Sequence, residues 1–260
     1  MSPDPSACRD IGDLIVAATA RRYSAYCRGR HLLQVPDGTE AMACRDLLKE
    51  SSFNAAIDRL ATRYPTTTDR RAIVSVWSLQ YLSNLLITPT IALLELQRQL
   101  PLALDDMDML IDRQSGLPRG FRLKHAGHVD GKLDILEGLR PAIRDHLDAL
   151  IEAMASHSRL GRKTLWTNAS AYLSWILAEV ARNSNGASNS QARSVTDISH
   201  WPDGWRNPMR GLVRVTHGRK GEYIGNRRIC CLRYLVPGIG GCGSICPVPD
   251  GRLLEVTSVA

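Results

Sequence analysis

The sequence predicts an α+β protein: a mostly helical body carrying a short β-hairpin, followed by a small C-terminal module of strands and loops. Three observations lead there. Apolar residues recur at helical spacing over most of the N-terminal two thirds, alternate at strand spacing in a few short stretches, and give way near the C-terminus to Gly, Pro and Cys. With 260 residues and 44% hydrophobic content, the chain can bury a full core without help from a metal.

Taken in order, residues 10–28 place Ile11, Leu14, Ile15, Ala18, Tyr23 and Tyr26 on one helical stripe. Residues 39–64 repeat the pattern behind an N-cap signal at Asp37-Gly38-Thr39-Glu40. Residues 69–86, with Ala72, Ile73, Val76, Trp77, Leu79, Leu82 and Leu85, read as a core helix that Pro89 ends or kinks, with helix resuming over 91–100. In 107–123 apolar and polar residues alternate around Ser115-Gly116-Leu117-Pro118-Arg119-Gly120, the pattern of a hairpin. Two long helices are expected at 133–156 and 162–182, an antiparallel pair joined at 158–161, with Trp166, Tyr172 and Trp175 in the core. The polar run 183–196 breaks the periodicity, and strands rich in β-branched and aromatic residues follow at 212–215 and 223–236. The expected organisation is therefore a body over 1–183, a linker over 184–204 and a C-terminal region over 205–260.

Chemistry concentrates in that last region. Four of the seven cysteines, Cys230, Cys231, Cys242 and Cys246, fall within seventeen residues, among glycines and prolines that bar a helix. Four such thiolates can hold one tetrahedral metal or one small iron-sulfur cluster. Disulfides fit poorly: the N-terminus has no basic stretch followed by an apolar run, the cysteine total is odd, and the expected location is cytoplasmic. Zinc fits less easily than a two-iron cluster, because adjacent Cys230 and Cys231 point to opposite faces of a regular strand. Spacing alone leaves iron-sulfur, zinc and a chance cluster of thiols open. Cys8, Cys27 and Cys44 read as isolated small side chains.

Other motifs carry less. Gly238-x-Gly240-x-x-Gly243 has the letters of a dinucleotide fingerprint but no helix after it. His125, His128 and Asp130 read more simply as turn-forming residues than as metal ligands. His200 and His217 lie near the cysteines in sequence without a second supporting feature. No apolar run reaches the roughly 20 residues of a bilayer span. The formal charge of +7 points to acidic partners and admits peripheral association with a membrane. Arg206, Arg210, Arg214, Arg219, Lys220, Arg227, Arg228 and Arg233 concentrate that charge around the cysteines. Nucleic acid is not an expected partner, since no recognition-helix motif or basic strand interleaved with aromatics occurs.

The pattern Cys230-Cys231-x10-Cys242, followed by Cys246 and Pro247, resembles the C-terminal signature of the ferric-siderophore reductases of the FhuF-like type. The flanking Arg233-Tyr234, Pro237-Gly238 and Asn207-Pro208 are similar to that family too, and more loosely so are residues 77–89 and Leu165-Trp166-x-Asn168. One spacing departs: the family usually has two residues between its last two cysteines, where this chain has Gly243-Ser244-Ile245, which leaves Cys246 the least secure ligand. The resemblance implies a [2Fe-2S] cluster on Cys230, Cys231, Cys242 and Cys246 that reduces siderophore-bound Fe(III), with no catalytic residue beyond the cluster. Arg227, Arg228 and Arg233 would tune the cluster or steer an anionic partner. The implied partners are a ferric siderophore and an external electron donor, a ferredoxin or a flavin- or NADPH-dependent reductase. The alternatives are a zinc-stabilised binding module and a non-redox siderophore-binding or assembly protein.

Overall fold

The structure, a computed structural model, describes residues 9–67, 69–183, 195–217, 223–242 and 245–248. It is α+β with a helical body, helices making up 52% of it and the sheets being small. Cys8 and Gly243 lie outside the described residues, as does the side chain of His217.

The first helical stretch is two pieces, α1 (Ile11–Ala18) and α2 (Ser24–Cys27). Asp10 caps α1 through Gly12 N–H at 2.8 Å and reaches Gly29 N–H at 2.7 Å. The break falls where Ala20 and Arg21 take left-handed φ angles of 49° and 67°.

The expectation of a helix from residue 39 is corrected at its start. Glu40–Ala43 forms strand β2, Cys44–Leu48 a 3₁₀ stretch, and helix α3 begins only at Glu50 (Glu50–Ala61). Glu, Ala and Met are helix formers, but β2 sits at the edge of a sheet and pairs antiparallel with β4 (Met107–Ile111), so tertiary pairing overrides propensity. Residues 107–123 make the expected hairpin of β4 and β5 (Pro118–Leu123). β1 (His31–Leu32) adds parallel to β5, giving the order β1-β5-β4-β2.

Helix α4 (Arg70–Leu96) runs through Pro89 without ending and stops at Gln97, whose φ is 50°. Its next segment is therefore strand β3 (Arg98–Gln99), paired with β6 (His128–Val129), rather than helix up to residue 100. By length and composition α4 could cross a bilayer, yet 67% of its most apolar window is buried inside the protein. That is the signature of a central helix, apolar on nearly every side. Its polar side chains do local work: Trp77 Nε1 donates to Gly116 O at 3.2 Å and Asn84 Nδ2 to Pro118 O at 2.8 Å, fastening the hairpin onto α4.

The next long helix is continuous but not uniform. α5 (Ile135–Ala142) passes through a π-turn at Ile143–Leu147 into α6 (Asp148–Ser158). The π-turn aims His146 into the core, where Tyr81 Oη lies 2.6 Å from Nε2 and Leu102 O lies 2.7 Å from Nδ1. α7 (Arg162–Asn183) packs most extensively on α4.

Of the segment read as a linker, residues 184–194 lie outside the described residues, while Val195 and Trp201 are buried. Trp201 meets Trp205 edge-on at 5.5 Å. The C-terminal strands are β7 (Val213–His217) and β8 (Tyr223–Arg227), an antiparallel pair lying on α7. The second strand ends nine residues earlier than its composition suggests, because the chain leaves the ladder at Arg228 to build the cysteine loop.

Candidate metal centre and adjoining cleft

Strand alternation at the end of β8 sends neighbouring arginines to opposite sides. Arg227 is buried, and its Nη1 donates to Asn168 Oδ1 at 2.8 Å. Asn168, buried in α7, donates in turn to Ser75 Oγ at 3.2 Å and Ser78 Oγ at 3.3 Å on α4. A polar chain thus crosses the apolar interior from α4 through α7 to the C-terminal hairpin. Arg228 is exposed on the other side, its N–H donating to Leu212 O at 3.0 Å.

Beyond Arg228 the backbone turns sharply. Leu232, just after the two adjacent cysteines, adopts a left-handed φ of 60°, and Gly238 takes one of 80°. Cys231 and Cys246 are buried; Cys230 and Cys242 are partly exposed. Sγ of Cys231 lies 3.2 Å from Sγ of Cys242, and Leu232 N–H approaches Cys230 Sγ at 3.3 Å. Cys230 has Cys246 as its own hydrogen-bonding neighbour. The four thiols predicted to act together are therefore in one loop, standing as two pairs.

Among the described residues no group of three or more His, Cys, Asp or Glu side chains converges at metal-ligand reach. Thiolates on one tetrahedral metal at about 2.3 Å lie roughly 3.8 Å apart. The Cys231–Cys242 separation is shorter than that, the contact of a thiol donating to a thiolate. Accordingly the Cys231 thiol is pulled down to about 6, first by the hydrogen bond from Cys242 and then, against burial, by the Arg227 and Arg233 guanidiniums. The Cys242 thiol is pushed far up by the same bond and by burial. Such a pair gives up its first proton easily and its second with difficulty. Burial also pushes the Cys230 thiol up.

Two further atoms bear on what the loop can hold. Nε of Arg227 and Nε of Arg233 are buried with no hydrogen-bond partner, and both guanidiniums act on Cys231 and Cys242. A buried guanidinium with an idle donor is costly unless negative charge lies beside it. A thiolate-held metal centre carries that charge, so the donor set and its surroundings fit an anionic tetrathiolate group.

Two cavities are lined in part by residues flanking the cysteines. The smaller, about 370 Å³, is walled by Tyr26, Tyr172, Trp175, Arg227 and Ile245. Tyr172 faces Arg227, Arg233, Cys231 and Cys242, and burial raises its phenol. The larger, an open cleft of about 990 Å³, reaches from the start of α7 to Ile229, the residue before Cys230. Arg228 belongs to this cleft rather than to the thiols, which separates it from Arg227 and Arg233.

The remaining sequence candidates fall into place. His125 and Asp130 accept backbone N–H groups two residues ahead, at 3.1 Å and 2.9 Å, as turn residues do. His200 lines the larger cleft. Cys27 and Cys44 are core side chains whose thiols burial pushes to about 12. Sequence reasoning did not assign a role to Asn168, Ser75 and Ser78; three polar residues inside otherwise apolar helices are the signal that marks them.

Comparison with known proteins bears on the body more than on the loop. A family model described as "FhuF: Ferric iron reductase FhuF-like transporter" matches residues 75–223, more than half of the chain. The matched segment opens at Ser75, contains Asn168 and much of the cleft, and ends ahead of Arg227 and the four cysteines. No curated protein matches the chain.

Proposed function

The chain belongs to the FhuF-like ferric iron reductase family, and from that premise we propose that it reduces siderophore-bound Fe(III) to Fe(II) through a [2Fe-2S] centre on Cys230, Cys231, Cys242 and Cys246. The observation that carries the reading is the pair of idle buried guanidinium donors, Arg227 and Arg233, beside thiols arranged two and two. Two pairs match the needs of a two-iron centre, in which each iron takes two cysteines, better than those of a single ion that must gather four.

Such a group supplies one electron at a time, which suits Fe(III) as the electron acceptor. The chain's own residues do the rest. Arg227, fixed by Asn168, and Arg233 hold positive charge against the thiols that would carry the centre, and that charge would favour its reduced form. Ile229 and Arg228 carry the wall of the larger cleft to the first cysteine, so a chelate seated there lies next to the loop. Hard oxygen donors hold Fe(III) far more tightly than Fe(II), so the transfer of one electron to the substrate iron releases it with the organic ligand unchanged. No nucleophile or general base is required. The one run with the letters of a dinucleotide fingerprint, residues 238–243, lies among the cysteines and not before a helix, so the proposed electron donor is a separate ferredoxin or a flavin- or NADPH-dependent reductase, with the ferrous iron delivered in the cytoplasm.

The test is anaerobic reconstitution with iron and sulfide, followed by absorption and EPR spectroscopy before and after dithionite. The expected protein is coloured, gains a reduced-cluster EPR signal, and loses that signal when ferric siderophore is added as a ferrous chelator reports Fe(II). A colourless protein that takes up one zinc and no sulfide would overturn the reading. A stable reduced cluster that leaves the ferric siderophore untouched would reassign it as a non-redox binding protein. Replacing Cys246 by Ser is expected to abolish the two-iron spectrum, since Cys246 is buried beside Cys230.

A further inference from the structure

The larger cleft has a composition that the family assignment does not explain. Its rim carries Arg162 and Lys163 from the first turn of α7, Arg206 and Arg210 from the loop before β7, and Arg228 from the end of β8. Among the described residues that line it, only Asp148 and Glu152 oppose them, and Glu152 is already engaged by Arg162 at 2.6 Å. Lys163, Arg206, Arg210 and Arg228 have no ion-pair partner among the described residues, and all four are exposed. Their gathering is unfavourable in the empty protein. Arg162 and Lys163 make it worse by standing at the positive end of a 22-residue helix, where acidic residues are the stabilising choice. The floor is different: Trp166 and Ile151 are buried there, with Leu212 and Ile229 beside them. A volume of about 990 Å³ is that of a site for a sizeable small molecule rather than of a flat protein-docking face.

From this we propose that the cleft binds a ferric chelate of net negative charge, with catecholate or carboxylate donors, in preference to a neutral or cationic trihydroxamate. The anionic oxygens face the cationic rim and the planar, apolar parts of the ligand lie over Trp166. The inference rests on the reductase reading for the identity of the metal, but its binding step does not need the cluster. Charge selection follows from simple electrostatics: the rim cations act together on one concave volume, where they attract an anion and repel a cation at short range.

The experiment uses the full chain in its cluster-free form, so that binding is read apart from reduction. Tryptophan fluorescence quenching is followed on titration with a triply anionic ferric tricatecholate and, separately, with a singly cationic ferric trihydroxamate bearing a free amine. The tricatecholate should bind at least about tenfold more tightly at low salt, with the difference shrinking as salt rises. The double charge reversal Lys163→Glu/Arg206→Glu should weaken the tricatecholate on the order of tenfold while leaving or improving the trihydroxamate. Both positions are exposed, and an acid at Lys163 suits the helix end, so this variant should keep the circular dichroism of the parent. Should it not, the comparison of the two chelates on the unmodified protein decides the matter by itself. Equal binding of the two complexes, or tighter binding of the cationic one, overturns the proposal. So does failure of the tricatecholate to bind while an acidic ferredoxin protects the rim lysine from modification, which would make the rim a donor-docking surface. Selective binding of the tricatecholate by a reconstituted protein that cannot reduce it would uphold this inference and refute the reductase reading instead.

Discussion

Removing the Asn168 side chain should unfasten the C-terminal hairpin from the helical body. Asn168→Ala deletes the acceptor of the Arg227 guanidinium at 2.8 Å and the donor to Ser75 and Ser78 at 3.2 Å and 3.3 Å. A hydrogen bond to a charged group contributes about 1.5–3 kcal/mol, and each longer neutral bond about 0.5 kcal/mol. Because Arg227 is buried and already has one idle donor, the loss leaves a second unsatisfied. The expected cost is therefore about 3–4 kcal/mol. Arg227→Met removes the charge together with its need for a partner and should cost about 2–3 kcal/mol, mainly through the stranded Asn168 oxygen. The two changes share one bond, so the double variant should fall short of their sum by about 2 kcal/mol. Urea denaturation of the cluster-free protein, followed by tryptophan fluorescence, gives the cycle, and hydrogen exchange at β7 and β8 amides shows where protection is lost. Additivity within about 0.5 kcal/mol would refute the polar chain as the link between body and loop.

Acid should destabilise the protein early. Burial lowers His31 to about 3 and His146 to about 4, so each folded-state value lies below that of the unfolded chain, 6.5. The stability is present above pH 6.5 and is lost as pH falls from there toward the folded values. At pH 5 the two together should remove about 4 kcal/mol, and His31→Phe should make the acid limb about half as steep in denaturation curves compared at pH 7 and pH 5. In the cluster-free protein a thiolate absorbance step is expected near pH 6 from Cys231, and Cys242→Ala should move it upward by removing the donor that lowers it; a step that stays in place would refute the pairing. Gly120→Ala should cost about 2 kcal/mol or more, because its Cβ would stand 2.5 Å from Arg30 O, and thermal melting measures it.

How much was legible depended on how local the physics is. α4 and α7 were readable because apolar residues recur along them at helical spacing, and the β4–β5 hairpin because Gly116 and Pro118 punctuate an alternating run. β2 was not: Glu40–Ala43 is made of helix formers, and only its pairing with β4, some seventy residues on, makes it a strand. The parallel partnership of β1 with β5 is two residues long and leaves no periodicity to detect. Of the two readings of Pro89, an end or a kink, an end is the one that fails, since α4 runs on through it to Leu96. At the site, the cysteines announced themselves by spacing and the basic residues by number. The division of labour between Arg227 and Arg228 needed the strand, and the role of Asn168 needed α4 and α7 face to face.

The polar chain from Ser75 to Arg227 also orders events in time. Its anchoring members on α4 and α7 precede the cysteine loop during synthesis and rest on contacts within the helical body. The body can therefore be complete when β8 arrives, and the hairpin then docks on a finished surface. Under the function proposed above, the metal centre would be installed late, on a protein already folded, with Cys230 and Cys242 still partly exposed. A cluster-free form of the proposed reductase would then stay folded, where a zinc-finger-like domain unfolds without its metal.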